Sequence, residues 1–334
     1  MAVLDVSVAA QAEAADEDER DSLEYEFAVQ MQRILGPAVM RVFDDHATSE
    51  VYANPDGMVW LLAEGRRHEP TGLTLKASEI EGFLNVAAAR LQETITPRNP
   101  RLQGELPKPV FGGARLQGLI PPVAAGPMFK IRKRPRRVVP LEDYVAQQVM
   151  TPAQYDAIRW AITQDFGIVV AGPTGSGKTY LLNALLHEQA RLMEDPNAPV
   201  YILEDTVEVL PQAPNTVSLR TTPECDFDVL LYVSLRLTPK YLHVSECRRY
   251  ALQMLEGWAT GHPGFCTLHS RSGQGALQRI ARLARRETGR DEGWLVAEAI
   301  QLVVVIKPTP RGRRVTEVAH CTGYRKGRYL LTRL

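Results

Sequence analysis

Gly172-Pro173-Thr174-Gly175-Ser176-Gly177-Lys178-Thr179 is the stretch that decides the fold of this chain. It follows the apolar run Phe166-Gly167-Ile168-Val169-Val170-Ala171 and leads into Tyr180-Leu181-Leu182-Asn183-Ala184-Leu185-Leu186. The order is strand, glycine-rich turn, helix, with G-x-x-x-x-G-K-T at the turn. Glycines let the backbone curl until several N–H groups face one anion. The helix N-terminus adds its partial positive charge. Lys178 is then placed to reach the β- and γ-phosphates, and the Thr179 hydroxyl to ligate Mg²⁺. A plain Gly/Ser linker would have neither the strand before it nor the helix after it. The pattern predicts nucleoside triphosphate binding by the whole turn, residues 172 to 179.

The chain has 334 residues, enough for about two or three domains. Hydrophobic content of 45% and charged content of 23% are those of an ordinary globular protein. Formal net charge is +0, so bulk charge argues for neither nucleic acid nor membrane as a partner. Acidic residues and alanine crowd the start (Glu13, Asp16, Glu17, Asp18, Glu19), which predicts a disordered tail over residues 1–24. That start has neither the basic residues nor the apolar centre of a signal peptide. No apolar run approaches the roughly 18 residues of a membrane span. Cys225, Cys247, Cys266 and Cys321 are scattered without a C-x-x-C pair, so reduced thiols are expected and a zinc site is not.

Residues 24–44 carry a helical pattern interrupted by Gly36-Pro37. Glu50 to Leu62, turning at Asn54-Pro55-Asp56-Gly57, reads as a β-hairpin. Ala77 to Ile95 reads as a helix with Ile80, Phe83, Leu84, Ala87, Ala88 and Leu91 on one face, stopped by Pro97. Short strands follow near Gly104–Leu106, Arg115–Leu119 and Met128–Ile131. Interleaved helices and antiparallel strands predict a small α+β domain over 25–133. A basic run, Lys130 to Arg137, opens a linker over 134–150. Thr151-Pro152 then resembles a helix N-cap with Pro at the first helical position. From there strands at 166–171, 200–203, 216–220, 241–244, 264–268 and 302–306 alternate with helices. This predicts an α/β domain over 151–334 with a largely parallel sheet and phosphates at the strand carboxyl ends. The tail from Val315 to Leu334 reads as a strand pair turning at Arg325-Lys326-Gly327.

A phosphate turn of this kind works with a carboxylate that organises Mg²⁺ and water. Two strands end in acids: Tyr201-Ile202-Leu203-Glu204-Asp205-Thr206-Val207-Glu208 and Tyr241-Leu242-His243-Val244-Ser245-Glu246-Cys247-Arg248. The bland alternative is that these acids cap the helices that follow. A third strand, within Thr260-Gly261-His262-Pro263-Gly264-Phe265-Cys266-Thr267-Leu268-His269, ends in histidine.

The order of these segments resembles the secretion ATPase superfamily of type II and type IV secretion. There they are called Walker A, the Asp box, an atypical Walker B and the His box. Gly104-Glu105-Leu106-Pro107, Ala114 to Pro122, Phe129 to Lys133 and Leu141 to Val145 resemble the type IV branch, and within it the conjugal transfer ATPases. The resemblance spans about residues 25 to 310. It implies a RecA-like P-loop ATPase domain preceded by a PAS-like domain. It also implies a homo-hexamer that is cytoplasmic, peripheral to the inner membrane, and joined to inner-membrane components of a conjugation machine. ATP and Mg²⁺ are the implied ligands. Glu246 would polarise the attacking water, with Glu204, Asp205 and Glu208 shaping the metal and water site. His269 would sense the γ-phosphate. Arg115 and Arg132 would reach the nucleotide, the alternative for them being a solvated basic surface.

The chain departs from the family in two places. Ser245 stands where glycine is usual, and Thr238-Pro239-Lys240-Tyr241 where Arg-Pro-Asp-Arg is usual. No clear arginine is therefore expected beside the second carboxylate, with Arg236 as a possible substitute. Competing readings are a type II secretion or type IV pilus ATPase, a DNA translocase, and a scaffold that binds nucleotide without hydrolysing it. A four-cysteine zinc module, common in assembly ATPases of the first kind, is absent from the sequence. Nor is there an aromatic-interleaved basic groove for single strands, so direct DNA binding is not expected.

Overall fold

The structure, a computed structural model, describes residues 6–63, 67–135, 137–222, 224–248 and 250–334, with side chains from residue 21 onward. Arg136 of the basic run and the first five residues of the acidic start lie outside the described residues. The chain divides into two units, Met1–Arg134 and Pro135–Leu334. Among the described residues no helix is long and apolar enough to cross a membrane.

The first unit runs α1 (Val6–Asp44), β1 (Thr48–Ala53), β2 (Met58–Ala63), β3 (His68–Thr74), α2 (Ala77–Arg90), β4 (Arg101–Glu105), the single turn α3 (Lys108–Phe111), β5 (Arg115–Leu119) and β6 (Met128–Arg132). Its strands form one antiparallel sheet ordered β3-β2-β1-β6-β5-β4. Alternate residues Val51, Ala53, Val59, Leu102, Leu116, Phe129 and Ile131 point to one face. There they meet Met31, Leu35, Val39 and Phe43 of α1 and Ile80, Phe83 and Leu84 of α2. The period-2 and period-3.6 patterns thus bury the same core from two sides.

Three local outcomes differ from expectation. Helix α1 begins at Val6, inside the acidic stretch expected to lack structure. Alanine, glutamate and arginine are good helix formers, and composition alone ignores that preference. Among residues 21–28 Ala28 is buried and Phe27 packs partly against the core. The helix breaks at Gly36 (φ 76°, ψ 162°) just before Pro37. Helix α2 closes at Arg90 rather than Ile95, because Gln92 turns left-handed (φ 57°). Strand β3 was hidden by Pro70 and Gly72, residues tolerated there because β3 is an edge strand.

The second unit runs α4 (Leu141–Ala146), α5 (Pro152–Thr163), β7 (Ile168–Ala171), α6 (Lys178–Leu192), β8 (Val200–Glu204), β9 (Thr216–Arg220), α7 (Phe227–Arg236), β10 (Tyr241–Val244), α8 (Ala251–Ala259), β11 (Phe265–Leu268), α9 (Gly273–Thr288), α10 (Gly293–Ala299), β12 (Leu302–Thr309), β13 (Gly312–Arg325) and β14 (Arg328–Arg333). The sheet order is β14-β13-β12-β7-β11-β10-β8-β9. Strands β12 through β9 are parallel, while β13 and β14 turn back antiparallel. Helices cover both faces. Ile168 and Val170 of β7 face α4, α5 and α6, whereas Val169 and Ala171 face the core of α8, α9 and α10. A strand buried on both sides reads as a continuous apolar run, as 168–171 does.

Capping follows the sequence. Thr151 Oγ1 accepts from the Gln154 N–H at 3.2 Å, and Gln154 Oε1 accepts from the Thr151 N–H at 3.0 Å. The expected linker contains α4, whose Leu141 and Tyr144 are buried in the second unit's core. A helix of six residues is too short to announce itself by periodicity.

Candidate nucleotide site

The turn after β7 has the geometry its glycines permit. Gly175 (φ +71°) and Gly177 (φ +93°) are left-handed, and a Cβ on Gly175 would meet nothing within 4 Å. Glycine is needed there for φ, not for room. At Gly172 it is needed for room: a Cβ would come within 2.3 Å of the Ile306 carbonyl oxygen and 2.4 Å of Ser176 Oγ. Gly177 is the N-cap of α6, so the free N–H groups of that fifteen-residue helix open at the turn.

Lys178 is 7% exposed, and its Nζ donates to the Pro173 carbonyl at 3.0 Å. The same Nζ lies 3.2 Å from His269 Nδ1. His269 Nε2 lies 3.2 Å from Glu246 Oε1. One tautomer serves both contacts: Nδ1 accepts from the ammonium and Nε2–H donates to the carboxylate. Burial lowers the His269 pKa, the Lys178 charge lowers it further, and Glu246 only partly opposes them, so the ring is neutral at pH 7. For Glu246, burial works to raise the pKa, but the hydrogen bond and charge of Arg248, with His269 and Lys178, hold it below the usual carboxylate value.

Arg248 closes the chain of contacts. It donates to Glu246 Oε2 at 2.8 Å and to Asp205 Oδ2 at 2.6 Å. The expectation of no arginine beside the second carboxylate is therefore corrected. Arg248 was visible in Ser-Glu-x-Arg, at the end of the same strand as Glu246. Arg236 is no substitute, since it stacks on and donates to Tyr232 at the end of α7, before β10 begins. Lys240 and Tyr241 also sit at that opposite end of β10, both bonded to Asp165, at 2.6 and 2.8 Å. Ser245 fits where glycine is usual, because its side chain is small and its N–H donates to the Leu203 carbonyl at 2.9 Å.

The other acids divide by partner. Glu204, fully buried, accepts from the Glu208 and Val209 N–H groups at 2.9 and 3.1 Å. Its Oε2 thus orders the backbone that carries Glu208. Glu208 Oε2 accepts from the Thr179 hydroxyl at 3.3 Å. Asn183, which the sequence did not single out, holds the same segment. It donates to the Glu208 carbonyl at 3.2 Å and accepts from the Leu210 N–H at 2.7 Å. A lone asparagine inside a helix carries no signal that would have revealed it.

Thr179 and Glu208 offer two hard oxygens side by side, a donor set that suits Mg²⁺. Among the described residues no group of three or more His, Cys, Asp or Glu could hold a metal ion alone. A Mg²⁺ ion bound with phosphates takes only a few protein ligands.

Arg115 and Arg132 belong to the first unit, where they are cross-strand partners. Glu50 pairs with Arg132 on the outer side and Glu105 with Arg115 on the other, giving a row Glu50–Arg132–Arg115–Glu105 across the sheet. Neighbouring salt bridges, Lys130–Glu50 at 2.5 Å and Arg134–Glu105 at 2.6 Å, flank that row.

Known proteins resemble this chain over most of its length. The type II/IV secretion system protein family matches residues 86–324. A conjugal transfer protein TrbB of Rhizobium radiobacter is 39% identical over 302 residues, covering 90% of this chain and 91% of that one. A probable conjugal transfer protein TrbB of Sinorhizobium fredii is 38% identical over 301 residues, with the same coverage. The X-ray structure of the Legionella pneumophila ATPase DotB is 21% identical, with a TM-score of 0.59 over 82% of this chain and 76% of that one. That likeness speaks to the α/β fold alone. The chain belongs to the type II/IV secretion system protein family.

Proposed function

We propose that this chain hydrolyses ATP to power a conjugative type IV secretion machine. One observation carries the chemistry: the lysine of the phosphate turn, His269, Glu246, Arg248 and Asp205 are joined in one network at the carboxyl ends of the strands. Likeness to the conjugal transfer proteins over nine-tenths of the chain supports the machine. The second unit is read as RecA-like and the first as PAS-like. The working form is read as a homo-hexamer on the cytoplasmic side of the inner membrane, bound to membrane components of the machine rather than to DNA.

The residues take these roles. The N–H groups of residues 174–179 cradle the β-phosphate. Lys178 leaves the Pro173 carbonyl and His269 to meet the β- and γ-phosphate oxygens. Thr179, Glu208 and Asp205 would hold Mg²⁺, which when bound would supply positive charge to the phosphates. Glu246 accepts a hydrogen bond from water and aims its oxygen at the γ-phosphorus. As the bond between the water oxygen and the γ-phosphorus forms, the bond from phosphorus to the bridging oxygen breaks, the water proton passes to a γ-phosphate oxygen, and ADP and phosphate result. A carboxylate held at low pKa is a weak base, so its contribution is orientation more than proton abstraction. His269, freed from Lys178, donates toward the γ-phosphate. Glu204 and Asn183 keep Glu208 in position. Arg115 and Arg132 serve as nucleotide contacts, and their side-by-side placement would let them act as one cationic surface.

Phosphate release from Mg-ATP by the purified protein tests the activity, and wild-type protein without turnover would overturn it. Light scattering with and without a non-hydrolysable ATP analogue tests assembly. A shift toward six copies is expected, and Arg132→Ala should lower turnover more than affinity. A monomer throughout, with turnover indifferent to Arg132→Ala, would defeat the ring while leaving the phosphate turn standing.

A further inference from the structure

The two neighbours of β7 in the sheet are β11 on one side and β12 on the other. Glu246 and His269, which face the terminal phosphate in the reading above, follow β10 and β11. Lys178 touches His269 on that side. A triphosphate lying along the turn therefore has its γ end toward β11, and its nucleoside end leaves toward β12.

Strands β12 and β13 form a hairpin whose antiparallel register closes with Thr309 opposite Gly312. The hairpin carries Arg311, Arg313 and Arg314. One of them crosses the turn. A Cβ on Gly177 would meet Arg313 Cδ at 3.4 Å, and its Nε and one terminal nitrogen at 3.6 Å each. Glycine at 177 thus does two things: it adopts the left-handed φ, and it leaves a surface on which the arginine stem lies.

The charge on that arginine is not balanced locally. Arg313 is half-buried, and among the described residues it makes no ion pair with a carboxylate. Tyr144, buried in α4, feels the charge: burial raises its phenol pKa, and Arg313 acts against that rise. Tyr180 acts on the same phenol, which puts it in the same neighbourhood. Tyr144 and Tyr180 are neutral side chains, so neither supplies a counter-charge. A half-buried guanidinium without an anion, set against a loop built to bind anions, lacks a partner that a phosphate would supply. Arg311 and Arg314 do not share this placement. Arg311 is exposed, and Arg314 donates to the Arg313 carbonyl at 2.8 Å.

We propose that Arg313 binds the nucleoside end of the nucleotide, its guanidinium donating to the α-phosphate while the stem packs on Gly177. The proposal rests on ATP binding at the turn and adds a residue that discriminates the two ends of the ligand. A contact to the α-phosphate is common to ATP and ADP. Its loss should weaken both by the same factor, about tenfold for one charge-assisted hydrogen bond. A residue serving the γ-phosphate would affect ATP alone.

The test is calorimetric titration of the full chain with Mg-ADP and with a non-hydrolysable Mg-ATP analogue. The variants are Arg313→Met, which keeps the stem over Gly177 and removes the charge, and Arg313→Lys, which keeps the charge and loses the fork. The expected result is equal weakening for both nucleotides, about tenfold in Met and less in Lys, with a larger change in KM than in kcat. ADP affinity equal to wild type in both variants, or a loss confined to the ATP analogue, would overturn the proposal. Wild-type protein that binds neither nucleotide would overturn the ATP-binding reading and this inference together.

Discussion

On the β11 flank of the phosphate turn, Lys178, His269, Glu246, Arg248 and Asp205 are joined end to end. On the β12 flank, Arg313 lies on Gly177 without a carboxylate partner among the described residues. The difference separates rate from affinity. A nucleotide arriving on the first flank must exchange existing contacts for new ones, so the net gain in binding is small and the main effect is to redirect Glu246 and His269. A phosphate arriving on the second flank meets a cation with nothing to give up, so more of the interaction appears as affinity.

The largest expected effect is that of Lys178→Ala, which removes the one charge shared by the network and the phosphates. Turnover should disappear and nucleotide affinity should fall by at least tenfold. Wild-type turnover in that variant, read by phosphate release, would remove the basis for both flanks. His269→Ala should then split them. Turnover is expected to fall about tenfold, the size expected for one hydrogen bond lost in the transition state. Mg-ADP affinity should stay within about twofold, whereas Arg313→Met weakens ADP. Equal loss of ADP binding in the two variants would erase the distinction.

Acid offers a graded version of the same contrast. The His269 pKa is lowered in the folded protein, so its neutral form is secure above the unfolded value near 6.5 and is lost as pH falls through the folded value. An imidazolium cannot accept from the Lys178 ammonium, so the Lys178–His269 contact of the nucleotide-free site should open on the acid side of 6.5. Stability should fall in the same direction for a separate reason. His243, fully buried, has its pKa pushed down to about 3 by desolvation. Its contribution is complete above pH 6.5 and is lost as pH falls toward 3, amounting to about 3 kcal/mol by pH 4.5. Denaturant melts at pH 7 and 4.5 should show that loss, and His243→Gln should shrink it. An identical pH slope in the variant would assign the acid sensitivity to other groups.

The smallest effect is expected far from both flanks. The Lys240–Asp165 pair, at 45% and 39% side-chain exposure, lies at the opposite end of β10 from Glu246. Lys240→Met should change stability by no more than about 0.5 kcal/mol. It should leave the phosphate release rate of the unassembled chain unaltered.

These contrasts also mark what could be read in the sequence. The turn, Glu246 and His269 were legible because each ends an apolar run in one parallel sheet, and such endings converge at the carboxyl edge. The hairpin at Asn54–Gly57 and the strands of the second unit were legible for the same reason: short apolar runs bounded by turn residues. Arg313 was not legible. It is one arginine among several in Arg311-Gly312-Arg313-Arg314, and only the pairing of β12 beside β7 brings it to Gly177. The family resemblance implied that Glu204 shapes the metal and water site. Its bonds to the Glu208 and Val209 amides make it a positioning residue in the present account, a distinction set by side-chain direction rather than by spacing. The helix over residues 6–24 escaped because composition weighs charge and ignores helical preference.

The central claim is that the joined flank governs chemistry rather than binding, and Glu246→Gln tests it most directly. The substitution keeps the shape and a hydrogen-bonding oxygen but removes the charge that orients water. Equilibrium binding of Mg-ATP and steady-state phosphate release should be measured on the same preparation. Turnover should fall by about 10²-fold or more while affinity stays within about twofold. A variant that loses binding and turnover in equal measure, or keeps both, would contradict the account.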